Sequence, residues 1–170
     1  MNYKVLAAGL AVVLPTLAVF WASFGSDPHA LPKALEGKHA PAFALTSLTG
    51  ERVDRSSLDG RPFVLNFWAT WCIPCAQEHP AMLDVARKYG DRVQFYGVLY
   101  GDDKEAAQAW LAKRGTAYPT LMDPAGRTAI DYGVAGVPET FIVNAKGEIV
   151  EKVVGPIDPN AVASVLEGLL

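Results

Sequence analysis

Positive charge is scarce in this chain of 170 residues, and it is nowhere concentrated. Fifteen Lys and Arg residues stand against eighteen Asp and Glu residues, which gives a formal net charge of −3. A nucleic-acid-binding surface needs a cluster of basic side chains, so we expect no nucleic-acid partner. Charged residues of both signs make up only 19% of the chain, which indicates that part of it is not built for water.

Cysteine is equally scarce, because Cys72 and Cys75 are the only two in the sequence. A disulfide between them would close too short a loop to constrain the unfolded chain much, since that effect grows with loop length. A framework of several bridges, as in small secreted domains, is excluded. A zinc site typically needs four ligands, and His79 is the only histidine near the pair, so we expect no metal.

A long uncharged segment opens the chain. Val5–Phe24 comprises twenty residues without a charge, and twenty helical residues span about 30 Å, the thickness of the hydrocarbon core of a bilayer. We therefore predict a single transmembrane helix, acting as a signal anchor, within residues 1–24. Lys4 precedes the segment, which favours an inside amino terminus and an exported body. A signal peptide cleaved after Gly25 and a buried core helix are the alternatives.

Residues 25–40 are polar, contain proline and glycine, and are interpreted as a linker to one globular domain over residues 41–170. Strands and helices alternate in that domain, which indicates an α/β fold with a central mixed sheet flanked by helices. An N-terminal hairpin with Gly50 in its turn precedes this alternation. The predicted strands are Phe43–Leu48, Arg52–Leu58, Phe63–Trp68, Val93–Leu99, Thr120–Met122, Thr140–Val143 and Glu148–Val154. The predicted helices run from the cysteine pair to about Tyr89, from a cap at Asp102 or Asp103 to about Arg114, over Arg127–Tyr132, and over Asn160–Leu170 after a cap at Asp158.

The two cysteines follow a buried strand and open a helix, and this context favours thiol chemistry. Disulfide exchange needs one thiolate that attacks and a second thiol that resolves the mixed disulfide. Cys72 would lie at the amino-terminal end of the helix, where free N–H groups and the helix dipole lower the thiol pKa. Cys75 would lie one turn inside, more protected, as the resolving thiol. Pro74 suits the first helical turn, where a missing N–H does no harm.

Two blocks of sequence carry a specific resemblance. FVLNFWATWCIPCAQEHP resembles the active-site strand and helix of the thioredoxin superfamily, and YGVAGVPETFIVNAKGEIV is the second matching block. Together they are similar to the periplasmic cytochrome c biogenesis thioredoxins of the DsbE/CcmG type, with ResA-like relatives. The resemblance covers about Leu35 to the carboxyl end and implies a thioredoxin-like fold. It also implies an inner-membrane protein whose catalytic domain lies in the periplasm.

The resemblance assigns roles around the cysteine pair. Pro138 would be cis, and Val137 would expose its backbone to a substrate strand for β-type pairing; an ordinary turn proline is the alternative for Pro138. Trp71 and Pro74 would border the substrate groove.

Three further residues are expected to tune the thiols. Asn66 stands where thioredoxin carries a buried Asp, and an amide cannot accept the proton of the second cysteine. Glu78 matches an acid of the subfamily and would raise the thiol pKa values through like-charge repulsion, and Glu139 would add acid to the groove. A solvated surface charge is the alternative for each acid, and His79 is interpreted as mostly a surface residue.

The resemblance implies a thiol:disulfide oxidoreductase that acts as a reductase, with no cofactor beyond a redox-active Cys72–Cys75 disulfide. Its substrate would be an apocytochrome c haem-binding segment or the thiol chaperone that handles it, since haem attachment needs free thiols in an oxidising compartment. A membrane electron donor of the DsbD/CcdA type would recharge the pair. We expect a monomer.

Four other functions stay open on sequence grounds. A general periplasmic disulfide oxidase or isomerase would use the same fold. A copper-binding assembly chaperone typically uses Cys-x-x-x-Cys with a distant His, and a peroxiredoxin a Thr-x-x-Cys context, so both are disfavoured. A binding module without catalysis would tolerate Cys72→Ser.

Overall fold

The computed structural model describes residues 3–24 and 35–170. The chain divides into two compact units, Met1–Leu31 and Pro32–Leu170. In the first unit, helix α1 covers Tyr3–Phe24 and contains Pro15. A helix therefore lies where the transmembrane helix is predicted. That it crosses a membrane stays a prediction. Within the residues that the structure describes, no helix is long and apolar enough to cross a membrane.

The second unit is built on one mixed sheet of seven strands in the order β2-β1-β5-β4-β3-β6-β7. Strand β3 pairs in parallel with β4, and β4 with β5, whereas the remaining pairs are antiparallel. The predicted mixed sheet, N-terminal hairpin (β1–β2) and terminal hairpin (β6–β7) are confirmed. The strands are β1 Ala44–Ser47, β2 Arg52–Asp54, β3 Phe63–Trp68, β4 Gln94–Leu99, β5 Thr120–Met122, β6 Glu139–Val143 and β7 Ile149–Val154.

Within residues 35–170, four α-helices accompany the sheet: α2 Ile73–Tyr89, α3 Lys104–Arg114, α4 Arg127–Asp131 and α5 Pro159–Glu167. Two of the predicted caps are confirmed. The Asp103 carboxylate accepts a hydrogen bond from the Ala106 N–H at 3.4 Å, and that of Asp158 accepts one from the Asn160 N–H at 2.9 Å. Each satisfies one of the N–H groups that the first turn of a helix leaves unpaired.

The predicted strand Arg52–Leu58 is wrong in its second half. The ladder stops at Asp54, and Arg55–Leu58 forms a 3-10 turn instead. The Ser57 hydroxyl donates to the Asp54 carbonyl at 2.6 Å. Such local side-chain bonding competes with strand pairing, and the turn lets Leu58 enter the core at 2% exposure.

The core lies on both faces of β3, whose six residues are all buried. One face packs against aromatic rings of β6 and of the residue after α4: the Phe67 ring lies 5.6 Å from Phe141 and 5.7 Å from Tyr132. The opposite face packs against α2 and α5. The predicted inward residues of α2 are confirmed as buried, namely Met82, Leu83, Ala86 and Tyr89.

The predicted linker divides into two parts. Residues 25–34 lie outside the described residues. The last part joins the sheet edge, because the Gly37 N–H donates to the Ile149 carbonyl and the Ala40 N–H to the Gly147 carbonyl, both at 2.8 Å. The folded domain thus begins before the predicted boundary at residue 41.

Candidate active site

The cysteine pair lies where β3 passes into α2. Cys72 is the cap residue of α2, Pro74 lies in its first turn, and Cys75 follows inside the helix. The two sulfurs form a disulfide, with the Cα atoms 5.3 Å apart. The backbone N–H of Cys75 points at the Cys72 Sγ at 3.1 Å. The expected strand-to-helix placement of the pair is confirmed.

Hydrogen bonding, rather than exposure, distinguishes the two thiols. Cys72 and Cys75 are 4% and 3% exposed, so the expected greater protection of Cys75 is not seen in the disulfide form. After reduction, however, a thiolate at Cys72 would sit at a helix amino terminus and accept the N–H of Cys75. Both effects stabilise negative charge and lower a thiol pKa. These two effects favour Cys72 as the nucleophile, and that role stays a prediction.

The loop before β6 closes one side of the pair. The Val137–Pro138 peptide bond is cis, as the resemblance implies. The Val137 carbonyl oxygen lies 3.4 Å from the Cys72 Sγ. A backbone group of this loop is therefore held against the sulfur that would form a mixed disulfide.

Apolar side chains flank Cys72 at the surface. Trp71 is 59% exposed and Ile73 is 73% exposed, although both are large and hydrophobic. The Trp71 indole N–H donates to the Gly101 carbonyl at 3.3 Å, which fixes the ring beside the loop after β4. Exposed apolar residues that surround a reactive group are typical of a surface that binds another protein. Trp71 was predicted at this border, and Ile73 was not singled out.

Asp102, in the loop after β4, supports the approach to Cys72. One carboxylate oxygen accepts both the Thr70 backbone N–H and the Thr70 hydroxyl, each at 2.7 Å. The other oxygen accepts the Asp103 N–H at 2.9 Å. In the sequence Asp102 was considered only as a possible helix cap. The carboxyl ends of the parallel strands β3 and β4 meet at one edge of the sheet, and this topology could have indicated the contact with Thr70.

A buried acid lies behind the cysteines. Glu78 is 4% exposed, and its two oxygens accept hydrogen bonds from the Asn66 side-chain amide at 2.8 Å and from the Ile157 N–H at 3.0 Å. Burial raises the pKa of Glu78 above its usual 4.5, although both hydrogen bonds oppose that rise. The Asn66 amide also donates to the Thr140 hydroxyl at 3.0 Å. Asn66 therefore holds the Glu78 carboxylate in place.

Glu78 and Cys75 share a small cavity. Its volume is about 10 Å³, close to the space that one water molecule needs. The acid and the second thiol therefore line the same cavity. Its lining includes Asn66, Trp68, Cys75, Glu78, His79 and Trp110.

The interpretation of His79 as a surface residue is wrong. His79 is 9% exposed, its Nε2 lies 2.9 Å from the Gly115 carbonyl oxygen, and its ring meets the Trp110 ring edge-on at 4.6 Å. Burial lowers the pKa of His79 below its usual 6.5. A neutral ring with its proton on Nε2 satisfies that carbonyl. The spacing of four residues after Cys75 could have indicated this, because i and i+4 share a helix face.

Glu139 does not add a free acid to the groove, contrary to expectation. Its side chain is 2% exposed, and one carboxylate oxygen lies 2.8 Å from the Nζ of Lys152, which is also buried. Neighbouring residues of a strand point to opposite faces of the sheet. Thr140 faces Asn66, so Glu139 faces away from Glu78. Lys152 was not anticipated at this site.

Comparison with known proteins identifies relatives for this arrangement. Residues 37–152 match the AhpC/TSA family. The chain belongs to that family. It is 38% identical to the thiol:disulfide interchange protein HelX of Rhodobacter capsulatus over 156 residues, which cover 90% of this chain and 87% of HelX. It is 38% identical to the thiol:disulfide interchange protein DsbE of Pseudomonas fluorescens over 160 residues, which cover 93% of this chain and 88% of DsbE.

A solved structure agrees with these relatives. This AhpC/TSA family member superimposes with a TM-score of 0.68 on a secreted Mycobacterium tuberculosis disulfide oxidoreductase homologous to E. coli DsbE. The sequences are 28% identical, and the match covers 75% of this chain and 96% of the other. The predicted thioredoxin-like α/β fold and the resemblance to the DsbE type are confirmed.

The chemistry available to this AhpC/TSA family member is thiol–disulfide exchange. Cys72 and Cys75 are bonded to each other. The Val137 carbonyl lies beside the Cys72 sulfur, and the buried acid Glu78 lines a cavity with Cys75. The prediction of a thiol:disulfide oxidoreductase is confirmed. Among residues 3–24 and 35–170, the structure contains no group of three or more His, Cys, Asp or Glu side chains arranged to hold a metal ion.

Proposed function

We propose that this protein is a membrane-anchored reductase of disulfides in exported proteins, acting in cytochrome c maturation. The observation that carries the proposal is the environment of the Cys72 sulfur. It receives the Cys75 N–H at 3.1 Å, faces the Val137 carbonyl at 3.4 Å, and is flanked by exposed Trp71 and Ile73. The Cys75 N–H stabilises a thiolate at this sulfur, and the exposed apolar side chains beside it offer a surface for a protein substrate.

The reaction begins with the reduced pair. The Cys72 thiolate attacks one sulfur of the substrate disulfide, which forms a mixed disulfide and releases the other substrate sulfur as a thiolate. Cys75 then loses its proton and attacks the Cys72 sulfur, which releases the second substrate thiolate. Two electrons pass to the substrate, two protons complete its thiols, and the Cys72–Cys75 disulfide remains.

Glu78 gives the second step a proton acceptor. Cys75 and Glu78 line the same cavity, so the proton of the resolving thiol has a buried carboxylate nearby. Proton transfer is most effective when the acceptor and donor pKa values are close. Burial moves the pKa of Glu78 upward, toward that of a thiol. Asn66 cannot take this part, since an amide does not accept a proton, and its role is to orient Glu78.

The substrate is an apocytochrome c haem-binding Cys-x-x-Cys-His segment or the thiol chaperone that handles it. Support comes from the resemblance to the DsbE/CcmG type and from relatives named DsbE and HelX. Because each turnover leaves the pair oxidised, a membrane electron donor of the DsbD/CcdA type reduces it again.

The proposed location is the inner membrane, with the domain after residue 40 in the periplasm. Its support is the uncharged sequence Val5–Phe24, which is helical within α1. Deleting residues 2–24 behind a cleavable export signal should move the protein from the membrane pellet to the periplasmic extract. A full chain that is already extracted without detergent would contradict the anchor.

A trapping experiment tests the substrate. In cells that express Cys75→Ser, the mixed disulfide at Cys72 cannot be resolved and should accumulate. Non-reducing gels and mass spectrometry should then identify an apocytochrome c or a thiol chaperone in the complex. The double variant Cys72→Ser/Cys75→Ser is the matched control and should trap nothing. Equal trapping by both variants would contradict the assigned roles of the cysteines.

A further inference from the structure

Strand β7 carries a lysine that is buried in the core. The Lys152 side chain is 4% exposed, and its Nζ lies 2.8 Å from a Glu139 carboxylate oxygen on β6. Lysine and glutamate are almost never fully buried without a partner. The hairpin register explains the contact, because Lys152 faces Phe141 and Glu139 lies two residues along the same face. The register of this hairpin therefore brings the two buried charges together as an ion pair.

Lys152 and Glu139 each also make a hydrogen bond to the backbone of the segment that leads to the active site. We name residues Gly133–Pro138, which join α4 to β6, the cis-proline loop. The Lys152 ammonium donates to the Gly133 carbonyl at 2.9 Å, at the start of that loop. The other Glu139 oxygen accepts the Ala135 N–H at 3.1 Å, at its middle. The ion pair thus fastens two points of the loop to the sheet.

The cis-proline loop needs such support because it contains no helix or strand of its own. Its far end is fixed by the Gly155 N–H, which donates to the Pro138 carbonyl at 2.9 Å. Between these fixed points lies Val137, whose carbonyl stands 3.4 Å from the Cys72 sulfur. Lys152 and Glu139 thus hold the loop before Val137, and Gly155 holds it after Val137.

We infer that Lys152 is a positioning residue for substrate engagement. Through its ion pair with Glu139 it holds the cis-proline loop so that the Val137 backbone can pair with an extended peptide while the peptide disulfide meets Cys72. This inference rests on the proposed function and deepens it, since it concerns how that same site recognises a protein disulfide. Lys152 touches neither sulfur and acts only through the loop.

A purely structural brace and a positioning residue differ in what they change. A brace supports the whole domain, so its loss would slow every reaction of the thiols alike. A positioning residue affects only substrates that use the Val137 backbone. A peptide disulfide needs that pairing. A small aromatic disulfide such as dithiobis(nitrobenzoic acid) has no backbone to pair and needs only an accessible thiolate.

The test compares these two substrates in the reduced full-length protein. For Lys152→Met we expect the KM for a synthetic peptide with an intramolecular Cys-x-x-Cys disulfide to rise about tenfold. That is the loss of affinity expected when about one hydrogen bond to the peptide is lost. The rate constant with the aromatic disulfide should stay within about twofold, because the Cys75 N–H and the helix terminus are unchanged. Lys152→Arg keeps the charge and the donors and should restore the peptide KM.

Control variants separate the alternatives. Lys146→Met removes an exposed lysine from the neighbouring β6–β7 turn. It should change neither the KM for the peptide nor the rate constant with the aromatic disulfide. If Lys152→Met does not fold, Lys152→Gln removes the charge, is too short to span both acceptors, and should show the same split.

An unchanged peptide KM in the Lys152 variants, or parallel losses with both substrates, would overturn the inference while leaving the proposed function intact. A wild-type protein that does not reduce the peptide disulfide would overturn the proposed function itself.

Discussion

Replacing Asp102 by Ala should loosen the segment that leads into Cys72. The change removes two hydrogen bonds of 2.7 Å from Thr70 and one of 2.9 Å from the Asp103 N–H. Hydrogen bonds to charged groups contribute about 1.5–3 kcal/mol. Because Thr70 and Asp102 are only half-buried, water can replace part of the interaction. We therefore expect the free energy of unfolding to fall by about 2 kcal/mol in all, well below the sum for three such bonds.

A double-mutant cycle isolates one of these bonds. Thr70→Val keeps the side-chain shape and the backbone N–H but removes the hydroxyl, so it should cost about 1 kcal/mol alone. In the Asp102→Ala background the same change should cost almost nothing, which gives a coupling energy of about 1 kcal/mol. Urea unfolding of the oxidised proteins, followed by tryptophan fluorescence, measures all four variants. Effects that add to within about 0.3 kcal/mol would refute the proposed support of the Cys72 segment by Asp102.

The remaining predictions concern two buried titratable groups and one glycine. Burial raises the pKa of Glu78 from 4.5, so the folded state keeps a proton that the unfolded state loses, and stability should fall as pH rises from about 4.5 through the raised pKa. Glu78→Gln should remove that fall in urea unfolding across this range, and an identical pH profile would contradict it. Burial lowers the pKa of His79 from 6.5, so the free energy of unfolding should fall as pH drops below about 6.5. His79→Gln should weaken this pH dependence, and an unchanged pH dependence would count against the buried neutral ring. Gly97→Ala would place a Cβ 2.7 Å from the Trp68 Nε1, and overpacking of this kind costs about 1–3 kcal/mol in chemical unfolding. A neutral effect would show that the Trp68 ring can move aside.

Much of the fold could be predicted because its determinants are local in sequence. The buried run Phe63–Trp68, followed at once by the cysteine pair, predicted both β3 and the start of α2. Asp103 and Asp158 predicted helix starts because a cap acts within three residues of itself. The hairpin around Gly50 was predicted for the same reason, since turn chemistry and strand pattern both lie within a few residues.

The parts that were missed depend on contacts between distant segments. Glu139 was expected in the groove, and only the register of β6 with β7 shows that Lys152 neutralises it. His79 was expected at the surface, and the Gly115 carbonyl that accepts its hydrogen bond lies 36 residues away. Asp102 was recognised as a candidate cap, whereas its bonds to Thr70 span 32 residues. In each case a polar side chain found its partner across the fold.

We propose that Cys72 and Cys75 form a reducing pair, and the reduction potential of this pair distinguishes a reductase from an oxidase. Purified protein is equilibrated with mixtures of reduced and oxidised glutathione, and the fraction of thiols is measured by alkylation. We predict a potential near or below about −200 mV, in the range of glutaredoxins and thioredoxin. A potential near about −120 mV, that of the strong periplasmic oxidants, would contradict it and favour a disulfide oxidase on the same fold.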